Sequence, residues 1–389
     1  MKILVCNAGS STLKLGLFDS QGEEPVATAE VDWLADAPRL SVRFEAAPAV
    51  VSEVVMRTPA EAVRAALVAL GDATQDLAGV GHRVVHGGER FREAVRVTPE
   101  VERAIEALGE LAPLHNPASL EGIRAVAAVL PRVPQVVAFD TAFHATLPAV
   151  ARTYPIPRAW TREWGLRRYG FHGLSHAHCA HRAAEMLGRS DLRLVVAHLG
   201  NGASASAVAS GACIDTTMGY TPLEGLMMGT RSGSVDPGLL LHVLQHRGVD
   251  VAHLDRTLHY ESGLLGVSGL SSDMREVLAA APTDPDAELA VDVYVHRVRQ
   301  SVGALAATLG GVDALVFSGG IGEHAAEIRA RVCERLGHLG LVLDVGANAA
   351  AQPDTDVATP VSPARILVIA SREDLSILRE THRVLALTS

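Results

Sequence analysis

Two stretches built to the same plan constrain the fold of this chain more than any other feature in it. The apolar run Ile3-Leu4-Val5-Cys6 leads into Asn7-Ala8-Gly9-Ser10-Ser11-Thr12-Leu13-Lys14 and returns at once as Leu15-Gly16-Leu17-Phe18. About 190 residues later, close to half the length of the 389-residue chain, Leu194-Val195-Val196-Ala197-His198-Leu199 meets Gly200-Asn201-Gly202-Ala203-Ser204 and returns as Ala205-Ser206-Ala207-Val208. Each reads as a strand, a glycine turn and a strand. Two such hairpins half a chain apart predict a duplicated domain, each copy opening with a hairpin whose tip faces a shared cleft. The length agrees, being too great for one typical core and suited to two domains of roughly 150–200 residues.

The rest of the chain alternates helical and strand patterns. Helices are expected over Pro59–Leu70, Glu100–Leu111, Ala118–Val129, Leu174–Leu187, Asp236–Gln245, Ala287–Leu309 and His324–Leu336, with short strands at Gln135–Phe139, Ala314–Phe317 and Arg365–Ile369 between them. That alternation indicates an α/β fold. The boundary is expected near residues 143–160, where Tyr154-Pro155-Ile156-Pro157 breaks the periodicity and its prolines favour an extended connector. This divides the chain into residues 1–145 and 146–373, with the last helix, Leu375–Leu385, returning within residues 374–389 to cover the first domain.

Composition removes several classes of function. A net charge of −10 argues against a nucleic-acid or anionic-membrane surface, so an anionic ligand must be captured by local arginines. With 48% hydrophobic and 20% charged residues and no low-complexity tract, the chain is globular. The longest uncharged span, Leu194 to Ile214, holds three glycines and three serines and reads as strand–turn–strand, not a membrane helix. The start has no basic region followed by an apolar signal core, which predicts a cytoplasmic protein. Four cysteines, none in a C-x-x-C pair, read as buried thiols in a reducing compartment.

Several motifs carry chemistry. In the first hairpin Gly9 permits positive φ, Ser10, Ser11 and Thr12 offer hydroxyls and close amides, and Lys14, one of only two lysines, supplies a point charge for phosphate oxygens. Alone, the loop reads first as an ordinary hairpin turn with a solvated lysine. Arg83, in Gly81-His82-Arg83-Val84-Val85-His86-Gly87-Gly88, ends an apolar run before a double glycine, and Arg231 sits in the glycine-rich loop Gly225 to Pro237 that opens a helix. Either is a surface arginine on its own; together they can close on one anion, which a guanidinium binds through two bonds. Phe317-Ser318-Gly319-Gly320-Ile321-Gly322-Glu323-His324 follows a strand and opens a helix, where backbone can approach a nucleotide, although it is neither the dinucleotide fingerprint nor a Walker loop. Gly173-Leu174-Ser175-His176-Ala177 misses the hydrolase elbow by its final residue. His172, His176, His178, Cys179 and His181 resemble a metal cluster, but positions 176, 178 and 181 do not share a helix face; surface polarity is the expected role of the later histidines, leaving His172 as the one of interest.

Taken together, these segments resemble the acetate kinase family along the chain from residue 3 to the C-terminal helix. The ordered set is Asn7-Ala-Gly-Ser-Ser, His82-Arg-Val-Val-His-Gly-Gly, Pro113-Leu-His-Asn-Pro, Phe139-Asp-Thr-Ala-Phe-His, Arg168-Tyr-Gly-Phe-His-Gly, His198-Leu-Gly-Asn-Gly, Met228-Gly-Thr-Arg-Ser-Gly and Ser318-Gly-Gly-Ile-Gly-Glu. The chain departs from the family's usual pattern at His324, where Asn is usual, and at Ser371-Arg372-Glu373-Asp374, where Thr-Asn-Glu-Glu is usual.

The resemblance implies two duplicated actin-like, ribonuclease H-like ATPase domains with a cleft between them. It implies reversible transfer of a phosphoryl group from ATP to acetate, giving ADP and acetyl phosphate, with magnesium (manganese as an alternative) and a homodimer formed through the C-terminal domain. Asn7 and Glu373 would help hold the metal through its waters. Arg83, Asp140 and Arg231 would surround the phosphoryl group and the acetate carboxylate, His172 would donate to the phosphoryl group in flight, and His115 would assist. Val85, Leu114, Phe171 and Pro222 would form the methyl pocket. Ser10, Ser11, Thr12, Lys14, His198, Gly200, Asn201 and Gly202 would meet ATP phosphates, and Asp273, Met274, Arg275, Gly319, Gly320, Ile321 and Gly322 would bound the adenosine site. A propionate kinase of the same family is the near alternative. An actin-like ATP-binding module without phosphotransfer is the other, and Arg83, Arg231 and His172 speak against it, because a nucleotide switch needs no carboxylate-sized anion pocket.

Overall fold

The structure, a computed structural model, describes residues 1–8, 12–19, 22–32, 38–45, 47–54, 58–113 and 115–386. It divides into two compact units, Met1–Phe143 with Arg372–Ser389, and His144–Ser371. Residues 144–145 thus group with the second unit and 372–373 with the first. The Tyr154-Pro155-Ile156-Pro157 stretch lies inside the second unit and is not a free connector: the Tyr154 hydroxyl donates to the Glu224 carboxylate and accepts from the Tyr220 N–H.

The first unit is built on strands β1 (Lys2–Ala8), β2 (Thr12–Asp19), β3 (Pro25–Asp32), β4 (Arg39–Phe44), β5 (Val50–Glu53), β6 (Leu77–Val84), β7 (Val95–Arg96) and β8 (Gln135–Phe139). They form one sheet in the order β5-β4-β3-β2-β1-β6-β8-β7. The second unit holds β9 (Arg193–Leu199), β10 (Ala203–Ala209), β11 (Ala212–Thr216), β12 (Ala314–Ser318), β13 (Thr355–Asp356) and β14 (Arg365–Val368), in the order β11-β10-β9-β12-β14-β13. The two sheets repeat one plan. In each, an antiparallel hairpin (β1–β2, β9–β10) extends to a third antiparallel strand, two strands join parallel on the other side (β6 and β8, β12 and β14), and a two-residue strand closes the edge antiparallel. The duplication expected from the hairpins is present, and the first copy adds β4 and β5.

Alternation along the central strands sets what each face carries. Leu4 and Cys6 of β1, Leu13, Leu15 and Leu17 of β2 and Val80 of β6 pack with the helix Pro59–Leu70 and the end of Asn116–Val129. A strand points alternate residues to opposite faces. Gly79 and Gly81 therefore face the other way, where a Cβ on either would run into Leu385, Thr381 or Ile377 of the helix Glu373–Leu385. Their missing side chains let that last helix lie flat on β6, and Arg83 and Asn7 point to the same face as the start of the helix.

In the second unit the expected helices at Gly173–Leu187, Pro237–His246 and Pro285–Leu309 form within two residues of their predicted bounds. The predicted helix His324–Leu336 instead divides into Gly319–His324 and Ala326–Cys333, because Ala325 leaves helical geometry at φ −93°, ψ 81°. Similarly, Glu100–Leu111 is an α-helix only over Pro99–Ala107 and tightens to a 3₁₀ turn at Leu108–Glu110. All four cysteines are buried and unpaired, as expected. Among the described residues no helix is long and apolar enough to cross a membrane.

Candidate active site

In the first unit three parallel-run strands end side by side and deliver polar groups from their C-terminal ends, where α/β sheets gather ligands. Arg83 is in β6 and Asp140 follows β8, with the Asp140 N–H bonded to the Val84 carbonyl at 3.0 Å. Arg83 donates to Asp140 through Nε (2.9 Å) and Nη2 (2.6 Å), the two-point fork that a carboxylate accepts best. Its Nη1 lies 3.4 Å from Glu373 Oε2 and donates to Asn7 Oδ1 at 3.4 Å, and Asn7 Nδ2 in turn donates to Glu373 Oε2 at 3.2 Å. Four residues from four places in the sequence thus form one cluster. Asp140 is 1% exposed, Glu373 17% and Arg83 20%, so the open edge belongs to the guanidinium and Glu373.

Burial works against the Arg83 charge, yet Asp140 and Glu373 together hold its pKa above the ordinary arginine value. Burial raises the Asp140 carboxyl against the pull of Arg83. The pair is ionised, since a guanidinium cannot give up its proton and a two-point bond needs an anionic acceptor. Two carboxylates against one guanidinium leave the cluster one negative charge in excess.

In the second unit His172 lies at the start of the helix Gly173–Leu187 with φ 56°, ψ 25°, a left-handed conformation uncommon for any side chain but glycine. Its Nδ1 meets Ser204 Oγ at 3.0 Å, and its ring sits 4.5 Å from the His198 ring, centroid to centroid. A Cβ placed on Gly202 would lie 3.4 Å from His172 Nε2 and 3.6 Å from Arg231 Nη1, so both cationic or donor groups border the same small corner of the β9–β10 turn. Arg231 donates to the Pro222 carbonyl at 3.1 Å and leans on Met228 Sδ, and among the described residues it forms no ion pair. Burial lowers its pKa from the usual value, but an arginine remains charged.

The nucleotide motifs meet around the same turn. A Cβ on Gly319, which has φ 75°, would lie 2.8 Å from the Leu199 carbonyl, so the loops after β9 and β12 touch through glycine backbone alone. The Gly229 N–H donates to the Asn201 carbonyl at 2.9 Å, bringing in the Arg231 loop. Asp273 caps the helix Met274–Ala280 and binds Arg275 side chain to side chain, which holds the Asp273 carboxyl down at about 2. Gly200, Asn201, Gly202, Gly319 and Gly322 are thus brought together.

Other expected residues fall elsewhere. Lys14 is not in the turn but in β2, and its ammonium pairs with Glu30 of β3 at 3.4 Å, on the same sheet face as its cross-strand partner Asn7. Met274 is 3% exposed and turned into the core. Thr12 opens β2. Half-buried Val85 follows β6, and His115 immediately precedes the helix Asn116–Val129. Phe171 is buried, its carbonyl bonded to His144 Nε2 at 2.9 Å. Gly9, Ser10, Ser11 and Leu114 lie outside the described residues.

The expectation of surface polarity for the later histidines fails for two of the three. His176 and His178 are buried, and only His181 is exposed, beside Glu185. His176 places Nε2 2.8 Å from Ser204 Oγ and Nδ1 2.8 Å from Ser206 Oγ. Sequence reasoning missed these serines, although positions 204 and 206 share a strand face and 172 and 176 are one helical turn apart, and these two spacings were the available signal. Glu323 was also passed over: its carboxylate accepts from the N–H groups of Gly319 (2.9 Å) and Ser371 (2.8 Å), fixing the glycine turn.

The sequence profile of the acetokinase family matches residues 2–379. The acetate kinase of Synechococcus sp. (strain JA-2-3B'a(2-13)) is 50% identical, with 97% of each chain covered, and that of Gloeobacter violaceus is 47% identical, with 98% of each covered. Among solved structures, the acetate kinase of Porphyromonas gingivalis superposes with a TM-score of 0.93 at 39% identity, covering 99% of each chain. A propionate kinase from Francisella tularensis subsp. tularensis SCHU S4 gives a TM-score of 0.93 at 38% identity, covering 98% of this chain and 99% of that one. Match, coverage and the motifs assembled above agree, and the chain belongs to the acetokinase family.

Proposed function

We propose that the chain transfers the γ-phosphoryl group of ATP directly to an acetate oxygen, reversibly, giving ADP and acetyl phosphate. An acetate oxygen forms the new bond to phosphorus as the bond to the ADP oxygen breaks, so no enzyme-bound intermediate is required. Such transfer depends on in-line positioning and on cations facing the equatorial oxygens. The observation that carries this reading is the Gly202 corner, where Arg231, without an ion pair among the described residues, and the Nε2 edge of His172 border one small space beside a glycine turn. In the first unit Arg83, held by Asp140, supplies a second fork for a carboxylate or phosphoryl oxygen.

Magnesium fits the oxygen donors present. Among the described residues no three His, Cys, Asp or Glu side chains gather into a cage. Magnesium keeps several waters and takes one or two protein oxygens with substrate phosphates, so the Glu373 carboxylate and the Asn7 amide, in a cluster with excess negative charge, suit its hydrated form. When bound, the ion would neutralise phosphate charge; manganese has the same preference for oxygen.

A hydroxamate assay for acyl phosphate with acetate, propionate and butyrate tests the reading. One methylene in an apolar pocket discriminates by about 10- to 200-fold at most, so acetate should lead propionate in kcat/KM within that range. Val85→Ala should narrow the gap, chiefly by lowering the KM for propionate. If the wild type uses propionate as well as acetate, the propionate reading, in line with the name of the Francisella relative, takes its place. If no acyl phosphate forms with any of the three, both fail.

We also infer a homodimer through the second unit. The helices Pro237–His246 and Val251–Tyr260 contain no buried residue, yet expose Leu239 (52%), Leu241 (57%) and Val251 (72%). An apolar face of this kind marks an interaction surface. Light scattering should give twice the 40.9 kDa chain mass, and Leu239→Glu with Leu241→Glu should return it to that of one chain. A monomeric wild type refutes the inference.

A further inference from the structure

We propose that Ser206, His176 and Ser204 form a one-way hydrogen-bond relay that fixes His172 in the neutral tautomer carrying its proton on Nε2. The relay deepens, and rests on, the reading of His172 as a donor to the phosphoryl group.

The relay is fully interior: Ser204, Ser206 and His176 are each 0% exposed. Burial, with the neighbouring His144 and His198, holds the His176 pKa well below the ordinary histidine value, so its ring is neutral, with one N–H and one lone pair. Each ring nitrogen faces a serine: Nδ1 lies 2.8 Å from Ser206 Oγ, and Nε2 lies 2.8 Å from Ser204 Oγ, which is also 3.0 Å from His172 Nδ1. Only two arrangements of protons satisfy this chain. In one, Ser206 donates to His176 Nδ1, His176 Nε2–H donates to Ser204, and Ser204 donates to His172 Nδ1. In the other every bond runs in reverse, from His172 Nδ1–H to Ser206.

Ser206 decides between them. Among the described residues its hydroxyl has one partner, His176 Nδ1. Run in reverse, the chain makes Ser206 an acceptor only and leaves its buried hydroxyl hydrogen with nothing to bond, an arrangement folded proteins avoid. Run forward, the Ser206 hydroxyl, the His176 N–H and the Ser204 hydroxyl each have an acceptor, and His172 presents its N–H at the partly open Nε2 edge. The forward direction makes His172 Nδ1 the acceptor, which places the His172 proton on Nε2, the atom bordering Gly202 and Arg231. His172 is then a donor while neutral, with no need to become an imidazolium. Ser204, His176 and Ser206 are positioning residues and touch no substrate.

The wild-type enzyme tests the relay without any variant. Long-range ¹H–¹⁵N spectra of the full-length protein labelled at histidine, with His172 assigned by its absence in His172→Gln, should show a protonated Nε2 and a bare Nδ1 at pH 7.5. A proton on Nδ1 overturns the proposal. Ser206→Ala, which removes the donor that starts the chain, should shift the His172 signal toward the other tautomer. It should also lower kcat by about tenfold, the scale of one misdirected buried hydrogen bond, with KM for acetate and ATP unchanged within about twofold. An unchanged tautomer and kcat in a folded Ser206→Ala enzyme overturns the relay as well. The underlying donor role fails by a different sign: His172→Ala with wild-type kcat overturns that role while leaving the tautomer spectrum as it was.

Discussion

Arg231→Ala is expected to lower kcat by about 10²–10³-fold, the effect of removing one preorganised donor from a developing anion. The expectation follows from how little holds this guanidinium. It donates to the Pro222 carbonyl and touches Met228 Sδ, and no ion pair with a described residue consumes its charge. Its loss should therefore leave folding nearly intact and fall on the chemical step. Arg231→Lys should recover little, because an ammonium lacks the planar fork. A near-normal kcat for Arg231→Ala would remove it from the phosphoryl site.

Arg83→Ala should cost a similar factor in kcat but carry a second penalty. Asp140, 1% exposed, loses the guanidinium that satisfies both its oxygens. Breaking a buried pair from one side costs about 3–5 kcal/mol, so this variant should melt well below the wild type while Arg231→Ala does not. The melting difference separates an arginine placed by an ion pair from one placed by a single carbonyl. Equal melting temperatures for the two variants would contradict the ionised Arg83–Asp140 pair.

Much of the fold was legible because it is written locally. The hairpins β1–β2 and β9–β10 announce themselves by apolar runs around small-residue turns, and β8 matches its predicted Gln135–Phe139 span in full. Illegible were features decided by tertiary contact. Helix periodicity runs through Ala325, but the buried Arg329 donates to the carbonyls of Gly322 and Glu323 and to Asn348, and the break lies between these anchors. The outer strands β4 and β5 are a similar case, with little beyond the pairing of β4 to β3 and of β5 to β4 to identify them.

The candidate site divides the same way. Arg83, Arg231 and the glycine turns could be found because glycine and arginine in loops have few structural uses. Asp140 and Glu373 could not be tied to Arg83 by spacing, since separations of 57 and 290 residues become contacts only through the parallel strands and the returning helix. For Lys14 register is what the sequence hides: it reads as part of the turn, and strand pairing sets it in β2 opposite Glu30. His176 misled through composition, because histidines spaced irregularly on a helix look like surface, whereas two serines two residues apart on β10 supply the partners that make burial affordable.

That burial leads to an expected collapse of stability in mild acid. Burial lowers the pKa of His82 to about 4, against a bond to Gln135 that pulls it up, and lowers that of His144 to about 4, against a bond to the Phe171 carbonyl; His176 is also held low by burial. An unfolded histidine takes up a proton near pH 6.5, whereas these folded ones resist until about pH 4. Between those values the unfolded state binds more protons, so stability that is complete above pH 6.5 is lost as the pH falls toward 4 and levels off below. Each histidine contributes about 1.4 kcal/mol per pH unit within the window, or about 3 kcal/mol for His82 and for His144 across it. Those two alone, about 6 kcal/mol together, already fall within the 5–15 kcal/mol that typically separates folded from unfolded states, and His176 acts in the same direction. The melting temperature should therefore be flat from pH 8 to 6.5 and drop steeply from there to pH 4.5, with about three protons taken up on unfolding at the low end. His82→Asn should reduce that uptake by about one proton. A melting temperature independent of pH down to 4.5 would mean that these rings are charged or solvated in the folded protein, and the proton bookkeeping of the Ser206 relay would fall with it.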